Sequence, residues 1–286
     1  MRSGAVPTTP PKTILIFSSM DEALNDSTSS TPNSWGKDSS DHREKSFLKG
    51  SSTLLYDLHR VNCIWLELLT GSFKFRSVGP CVTVFGSARF AEDHRYYELA
   101  RSIGRRVASL GLTVMTGGGP GIMEAANRGA RDVSGKSIGC NIKLPKEQNH
   151  NQYLDKWITF EHFFVRKIML IKYSYAFIVL PGGFGTLDEV FETLTLIQTK
   201  KIRDFPIIMM GLDFWTPFRS LIEDKLLSEQ TITKKDLSLL HFTDSCDEAI
   251  QCIAACGSNK FGLQFSTANS DCVLCTHSKD GFPANR

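Results

Sequence analysis

The chain has 286 residues, a net charge of +3 and 41% hydrophobic residues. This length and hydrophobic content suit one large domain with tails, and so mild a charge argues against nucleic acid as the main partner. No apolar run approaches the roughly 20 residues that span a membrane, and Ile14–Phe17 is too short for the apolar core of a secretory signal.

The N-terminal part of the chain has two predicted regions. Residues 1–50 are rich in Ser, Thr, Pro and Asn, a composition that buries too little apolar surface to become ordered, so we expect a disordered extension. Residues 51–78 hold an amphipathic helix over Thr53–Thr70, which Gly71 is expected to end. Its apolar stripe either docks on the main domain or joins a subunit interface, and is formed by Leu54, Leu58, Val61, Trp65 and Leu68.

Residues 79–256 alternate between short apolar runs and amphipathic segments. The predicted strands are Val82–Phe85, Leu112–Met115, Ser137–Ile142, Trp157–Phe160, Ala176–Leu180 and Ile207–Met210. The predicted helices are Tyr96–Leu110, Ile122–Asp132, Phe163–Tyr173, Leu187–Lys200, Trp215–Leu227 and Asp247–Cys256. This alternation predicts an α/β fold: a doubly wound, Rossmann-like parallel sheet with helices on both faces and an extra N-terminal helix. The polar residues 257–286 are expected to be a flexible C-terminal tail.

The most informative motif is the glycine-rich stretch Pro181–Glu189, which follows a strand and opens a helix. Glycines let the backbone approach a ligand closely, and the N–H groups at a helix N-terminus favour an anion such as phosphate. Glu189 then stands as a carboxylate beside the anion. The alternative is structural, because Thr186 and Glu189 also form the T-x-x-E pattern of a helix capping box.

Another glycine-rich turn, Gly117–Gly121, also follows an apolar strand and opens a helix. In chain order Gly117–Gly121 is the first turn and the turn that begins at Pro181 is the second. Neither turn has the spacing of the dinucleotide or P-loop fingerprints. Two such turns in one domain nevertheless predict a ligand at the carboxyl ends of parallel strands. Ser87 and Arg89 follow the first strand and are candidates for the same site, or belong to an ordinary turn.

Several polar side chains could complete this site. Arg166 and Lys167 precede the strand that leads into the second turn, where they either recognise an anion or lie on a solvated helix face. Glu192 is placed to share a helix face with Glu189, and Thr195 lies three residues further on.

Together these motifs resemble the Lonely Guy family of cytokinin riboside 5′-monophosphate phosphoribohydrolases, which were long mislabelled as lysine decarboxylases. The resemblance is carried by Gly117–Met123 and Pro181–Glu189, with support from Phe85–Arg89 and Val165–Lys167. It covers about Gly79 to Cys252. It implies hydrolysis of the N-glycosidic bond of a purine riboside 5′-monophosphate, including AMP, to free base and ribose 5-phosphate.

The resemblance also implies roles for individual residues. Arg166 and Glu189 fall at the positions of the catalytic pair. The implied substrate-binding positions are Ser87, Arg89, Gly117, Gly118, Glu147, Lys167, Gly183, Phe184, Gly185, Thr186, Leu187, Asp188 and Thr195. No metal and no cofactor are implied, and no lysine stands out as an anchor for pyridoxal phosphate. The expected partners are a nucleoside 5′-monophosphate and further copies of the chain, in a homodimer or higher homo-oligomer, with no nucleic acid and no membrane.

Two alternatives remain open. Related folds bind nucleotides or carry the molybdenum cofactor without catalysis, and the Arg166 and Glu189 pair argues for the enzyme. The cysteines Cys252, Cys256, Cys272 and Cys275 with His277 have some features of a zinc site, although scattered reduced thiols are the favoured interpretation. Reduced thiols in turn suggest a cytoplasmic location.

Overall fold

The computed structural model describes residues 54–144, 149–203 and 205–261. The predicted disorder of residues 1–50, the candidate Glu147 and residues 262–286 of the predicted tail lie outside the described residues. The chain divides into two compact units, residues 1–57 and residues 58–286. Of the first unit only the opening residues of one helix are described, and all that follows concerns the second.

The described residues form seven strands joined mainly by helices. The strands are β1 (Cys81–Phe85), β2 (Thr113–Thr116), β3 (Ser137–Ile142), β4 (Lys156–Phe160), β5 (Ser174–Val179), β6 (Ile207–Met209) and β7 (Leu240–Phe242). The helices are α1 (Leu54–Phe75), α2 (Arg95–Ser109), α3 (Ile122–Asp132), α4 (Phe163–Tyr173), α5 (Phe184–Gln198), α6 (Leu212–Leu221), α7 (Lys234–Leu237) and α8 (Cys246–Phe261), with a π-helical segment at Ile222–Leu227 after α6.

All seven strands are parallel, in the order β4-β3-β2-β1-β5-β6-β7. Residues of α2, α3 and α8 pack in the core on one face of this sheet, and residues of α1, α4, α5 and α6 pack in the core on the other. The predicted doubly wound α/β fold with an additional N-terminal helix is therefore confirmed. The strand order reverses between β1 and β5, and this reversal opens a crevice at their carboxyl ends.

The N-terminal helix departs from its prediction in two ways. It does not end at Gly71 but continues to Phe75. Gly71 is needed for close packing, since a Cβ there would lie 3.0 Å from the Met169 sulfur on α4. Of the two alternatives for the predicted stripe, docking of the whole stripe is excluded, because Leu58, Val61 and Trp65 are 57%, 61% and 55% exposed. Of the predicted stripe, Leu68 does pack against the core, and it does so together with Ile64, Gly71 and Phe75 from an adjacent stripe.

Other boundaries differ by local physical causes. Helix α5 begins at Phe184, three residues before the prediction, because the glycine turn already has helical geometry. The strand β7 and the short helix α7 were not predicted, since three apolar residues at an edge carry too weak a pattern. Helix α8 extends to Phe261, so the first residues of the predicted tail are helical. Among the described residues, no helix combines the length and apolar character that crossing a bilayer demands.

Candidate active site

The turn after β1 lies between the two glycine-rich turns. The Ser87 amide donates to the Pro181 carbonyl at 2.9 Å, and the Ser87 carbonyl accepts from the Ile122 amide at 3.0 Å. Ser87 thus connects the glycine-rich turn at Pro181 to α3, the helix that follows the glycine-rich turn at Gly117. The three turns follow β1, β2 and β5, which are neighbours in the sheet. The site therefore occupies the crevice that the strand order predicts for a ligand.

The second turn opens α5 with Gly183 as the N-cap and without a side-chain capping bond. Thr186 lies inside the first turn of the helix, so the capping-box interpretation of Thr186 and Glu189 is excluded. The Thr186 and Leu187 amides donate to the Gly183 carbonyl at 3.0 and 3.1 Å. The amides of Phe184 and Gly185 have no acceptor among the described residues, and the dipole of α5 adds a partial positive charge there.

Glycine is required in both turns because side chains occupy the space that a Cβ would take. A Cβ at Gly182 would collide with the hydroxyl of Thr186. A Cβ at Gly117 would lie 2.7 Å from Nη2 of Arg166 and 2.8 Å from the Met123 sulfur. The guanidinium of Arg166 thus lies directly against the first turn. The glycines allow the backbone to approach the groups that could act on a ligand.

A buried network of polar side chains holds the first turn in shape. Gly118, at φ +75°, donates its amide to the Thr116 hydroxyl, and that hydroxyl donates to Asn127 at 2.6 Å. Asn151 donates to the Gly119 carbonyl and to Asn127, both at 3.0 Å. Buried polar groups that are fully bonded in this way specify one loop conformation. Sequence reasoning missed Asn127 and Asn151, since isolated asparagines give no pattern at the sequence level.

The two predicted catalytic residues meet at the centre of the site. Nη1 of Arg166 lies 3.3 Å from Oε1 of Glu189, with side-chain exposures of 13% and 3%. Nε of Arg166 donates to the Cys140 carbonyl at 2.9 Å, which fixes the plane of the guanidinium. Oε2 of Glu189 is buried and has no hydrogen-bond partner among the residues that the structure describes. An orphaned oxygen of this kind is costly in a protein interior and points to a missing ligand.

The environment of Glu189 changes its acidity. Burial raises its pKa from 4.5 to about 7, although the positive charges of Arg166 and Lys167 act in the opposite direction. A carboxyl group with this pKa is present in both protonation states near neutral pH. It is therefore suited to accept or donate a proton during a reaction.

Lys167 is paired with carboxylates rather than free. Its ammonium lies 2.8 Å from Asp188 and 2.9 Å from Glu192. Burial lowers its pKa, but the bonds to these two acids outweigh burial and raise it overall. The lysine is thus a charged link between α4 and α5. Glu192 was predicted to share a face with Glu189, and its partner is Lys167.

The remaining candidates occupy different surroundings. Arg89 is exposed, without an ion-pair partner in the described part of the chain. Phe184 is 92% exposed on the second turn. Thr195 is exposed, and its hydroxyl donates to the Phe191 carbonyl of its own helix. The substrate contacts implied for these residues stay predictions, as do those of the other binding positions. Cys252 and Cys256 are buried in α8, and Cys272, Cys275 and His277 lie outside the described residues.

Comparison of the sequence with known proteins finds one matching family and several curated relatives. The family described as "Possible lysine decarboxylase" matches residues 123–253. A cytokinin riboside 5′-monophosphate phosphoribohydrolase of Mycobacterium tuberculosis is 32% identical over 163 residues, which cover 55% of this chain and 84% of that protein. A protein named for the same activity in Rhodococcoides fascians is 29% identical, over 54% of this chain and 79% of that protein. Another, in Arabidopsis thaliana, is also 29% identical, over 56% of this chain and 73% of that protein.

Solved structures with a similar arrangement include molybdenum cofactor proteins. The molybdenum cofactor binding protein of Rippkaea orientalis is 25% identical, with a TM-score of 0.46 over 61% of this chain and 95% of that one. The Moco carrier protein of Chlamydomonas reinhardtii is 22% identical, with a TM-score of 0.47 over 63% of this chain and 99% of that one.

Glu189 is expected to make the fold less stable as the pH rises. Between pH 4.5 and about 7, the native state keeps a proton that the unfolded state has released. Unfolding in urea at about pH 5 and about pH 8 should therefore show a loss of up to about 3 kcal/mol in the wild type that Glu189→Gln does not share. Equal pH dependence in the two proteins would contradict the raised pKa.

Proposed function

Because the chain belongs to the Lonely Guy family, we propose that it hydrolyses the N-glycosidic bond of purine riboside 5′-monophosphates, including cytokinin ribosides and AMP. The products are the free base and ribose 5-phosphate. The observation that carries the proposal is the buried Glu189 carboxyl, which is paired through one oxygen with Arg166 and has no partner for the other in the described part of the chain.

The 5′-phosphate is proposed to bind at the N-terminus of α5. The amides of Phe184 and Gly185 are available there, and the helix dipole favours an anion. The Thr186 amide is already bonded to the Gly183 carbonyl, so Thr186 would contact the phosphate through its hydroxyl. Arg89, which is exposed on the turn after β1, supplies a positive charge. Binding energy at the phosphate then holds the ribose against Glu189, which lies one turn into the helix.

The reaction follows from the charge that develops on the sugar. As the C1′–N bond breaks, its electron pair leaves with the base and the ribose takes on oxocarbenium character. The Glu189 carboxylate stabilises this positive charge and accepts a proton from the water whose oxygen bonds to C1′. The departing base takes up one proton, which Glu189 passes on, so the carboxylate is regenerated and the second proton of the water stays in the new hydroxyl on C1′. Arg166 orients Glu189 and can donate a hydrogen bond to the departing base.

Lysine decarboxylation finds no support in the site. A lysine that forms a Schiff base needs a neutral amine, usually with a lowered pKa. Lys167, which lies in the site, is instead held charged between Asp188 and Glu192, with a raised pKa. The proposed role of Lys167 is to fix the start of α5 against α4, close to the phosphate.

A homo-oligomer in the cytoplasm is part of the same proposal. Apolar side chains stay exposed on α1, where Leu58, Val61 and Trp65 form a stripe, and Phe164 and Ile168 on α4 are each 47% exposed. Apolar surface of this extent is typical of a subunit interface. Cys81, Cys140 and Cys246 are free thiols, as a reducing compartment would keep them.

Replacing Glu189 by Gln should abolish release of the base. The amide keeps the shape of the side chain but cannot carry the charge or accept the proton, so we expect turnover to fall at least about 100-fold. Isopentenyladenosine monophosphate and AMP are incubated with each protein, and the free base is measured. Nucleotide binding, measured by calorimetry, should remain. Glu223→Gln, which removes a surface ion pair with Arg219, is the control. Binding without turnover in the wild type would favour a carrier over an enzyme.

The 5′-phosphate should be essential for turnover. Adenosine lacks the group that binds the second turn, so we expect its kcat/KM to be lower than that of AMP by on the order of 1,000-fold. Matched assays with both compounds measure this ratio. Comparable hydrolysis of adenosine would refute the assignment of the phosphate site.

The exposed stripe of α1 should contribute to the oligomer. We expect the double change Val61→Lys and Trp65→Lys to lower the mass measured by light scattering, because buried charge opposes association. Leu221→Lys, at a residue that is 51% exposed on α6, is the control. A wild type that is monomeric, or a variant of unchanged mass, would exclude this interface.

A further inference from the structure

We propose that helix α1 positions the arginine of the site, and that Glu67 of α1 is the positioning residue that acts through the first turn of α4. The kinetic part of this inference rests on the proposed function. The structural part, that Glu67 orders the first turn of α4, stands on contacts alone.

Glu67 holds the two residues that directly precede α4. The N-cap of α4 is His162, and its side chain makes no capping bond with the helix. Instead, Oε1 of Glu67 accepts from the Glu161 amide at 2.7 Å, and Oε2 lies 2.9 Å from Nδ1 of His162. Both side chains are only 17% exposed. A carboxylate at a helix N-terminus is also favoured by the helix dipole, so one side chain from α1 fixes where α4 begins.

A short chain of bonds connects these contacts of Glu67 to the candidate catalytic pair. The backbone amide of Arg166 donates to the His162 carbonyl at 3.2 Å, which places Arg166 one turn from the residue that Glu67 holds. The Arg166 guanidinium then reaches Glu189 at 3.3 Å. That distance is at the long end of a hydrogen bond, so a small displacement of the first helical turn of α4 would break it.

The same helix also holds the other end of α4. Lys172 donates to the Ser72 hydroxyl at 2.9 Å, and the Tyr173 hydroxyl donates to the Ser72 carbonyl at 3.1 Å. Between the two ends, α1 packs closely against α4 at Gly71, where a Cβ would lie 3.0 Å from the Met169 sulfur. Contacts at both ends prevent α4 from sliding along its own axis. The role of α1 therefore goes beyond covering the sheet, because it sets the position of the helix that carries Arg166 and Lys167.

The test compares Glu67→Ala, Glu67→Gln and the control Glu223→Gln in the full chain. Glu67→Ala removes both bonds to α4, and we expect kcat on AMP to fall by about 10-fold, with KM changed less than about 2-fold. Glu67→Gln keeps an acceptor for the Glu161 amide, so we expect it to recover most of that loss. Amide hydrogen exchange, followed on a peptide over residues 161–170, should quicken in Glu67→Ala and stay unchanged in the control.

Each outcome decides the inference. Unchanged exchange in the first turn of α4 overturns it, as does exchange that rises evenly over the whole chain, because either result makes Glu67 an ordinary stabilising residue. Faster local exchange with unchanged kcat overturns the kinetic part. If the wild type releases no base from any monophosphate, the proposed function fails, and the exchange data alone decide whether Glu67 orders α4.

Discussion

The burial of one carboxyl group, that of Glu189, is the constraint on which the rest of the site depends. An ionised side chain in a protein interior is costly unless it is paired, and Arg166 pairs with only one of its two oxygens. The other oxygen is buried and has no hydrogen-bond partner among the described residues. A purely structural acid would be fully bonded or exposed, whereas this arrangement leaves a group of nearly neutral pKa ready for a ligand.

The fold keeps this group in place from three directions. Helix α5 carries Glu189, helix α4 carries its partner Arg166, and the first glycine-rich turn bounds the guanidinium from the third side. The absence of a side chain at Gly117 makes room for that guanidinium, and Asn127 and Asn151 hold the turn itself. Lys167 joins α4 to α5 a second time through Asp188 and Glu192. The site is therefore a junction of rigid elements, which suits chemistry that depends on position.

Much of this could be predicted from the sequence, and the exceptions have identifiable physical causes. The alternation of strands and helices, and the glycine turns at Gly117 and Pro181, predicted the fold and the family, both of which are confirmed. The meeting of Arg166 with Glu189 was predicted only through family resemblance, since residues 23 apart give no local signal. The support from Asn127 and Asn151 could not be predicted, because such contacts arise from tertiary packing. For α1, helical spacing predicted the helix but not which of its apolar side chains face the core. That depends on how α1 packs against α4, which the sequence does not show.

The direct junction between α4 and β5 limits where related sequences can differ in length. Helix α4 ends at Tyr173 and β5 begins at Ser174, so no connecting residue lies between them. An insertion at that junction would rotate Arg166 away from the sheet or push β5 out of register with β1. Relatives of different length should therefore place their gaps elsewhere, and an alignment that opens one between Tyr173 and Ser174 has misassigned the residues on either side.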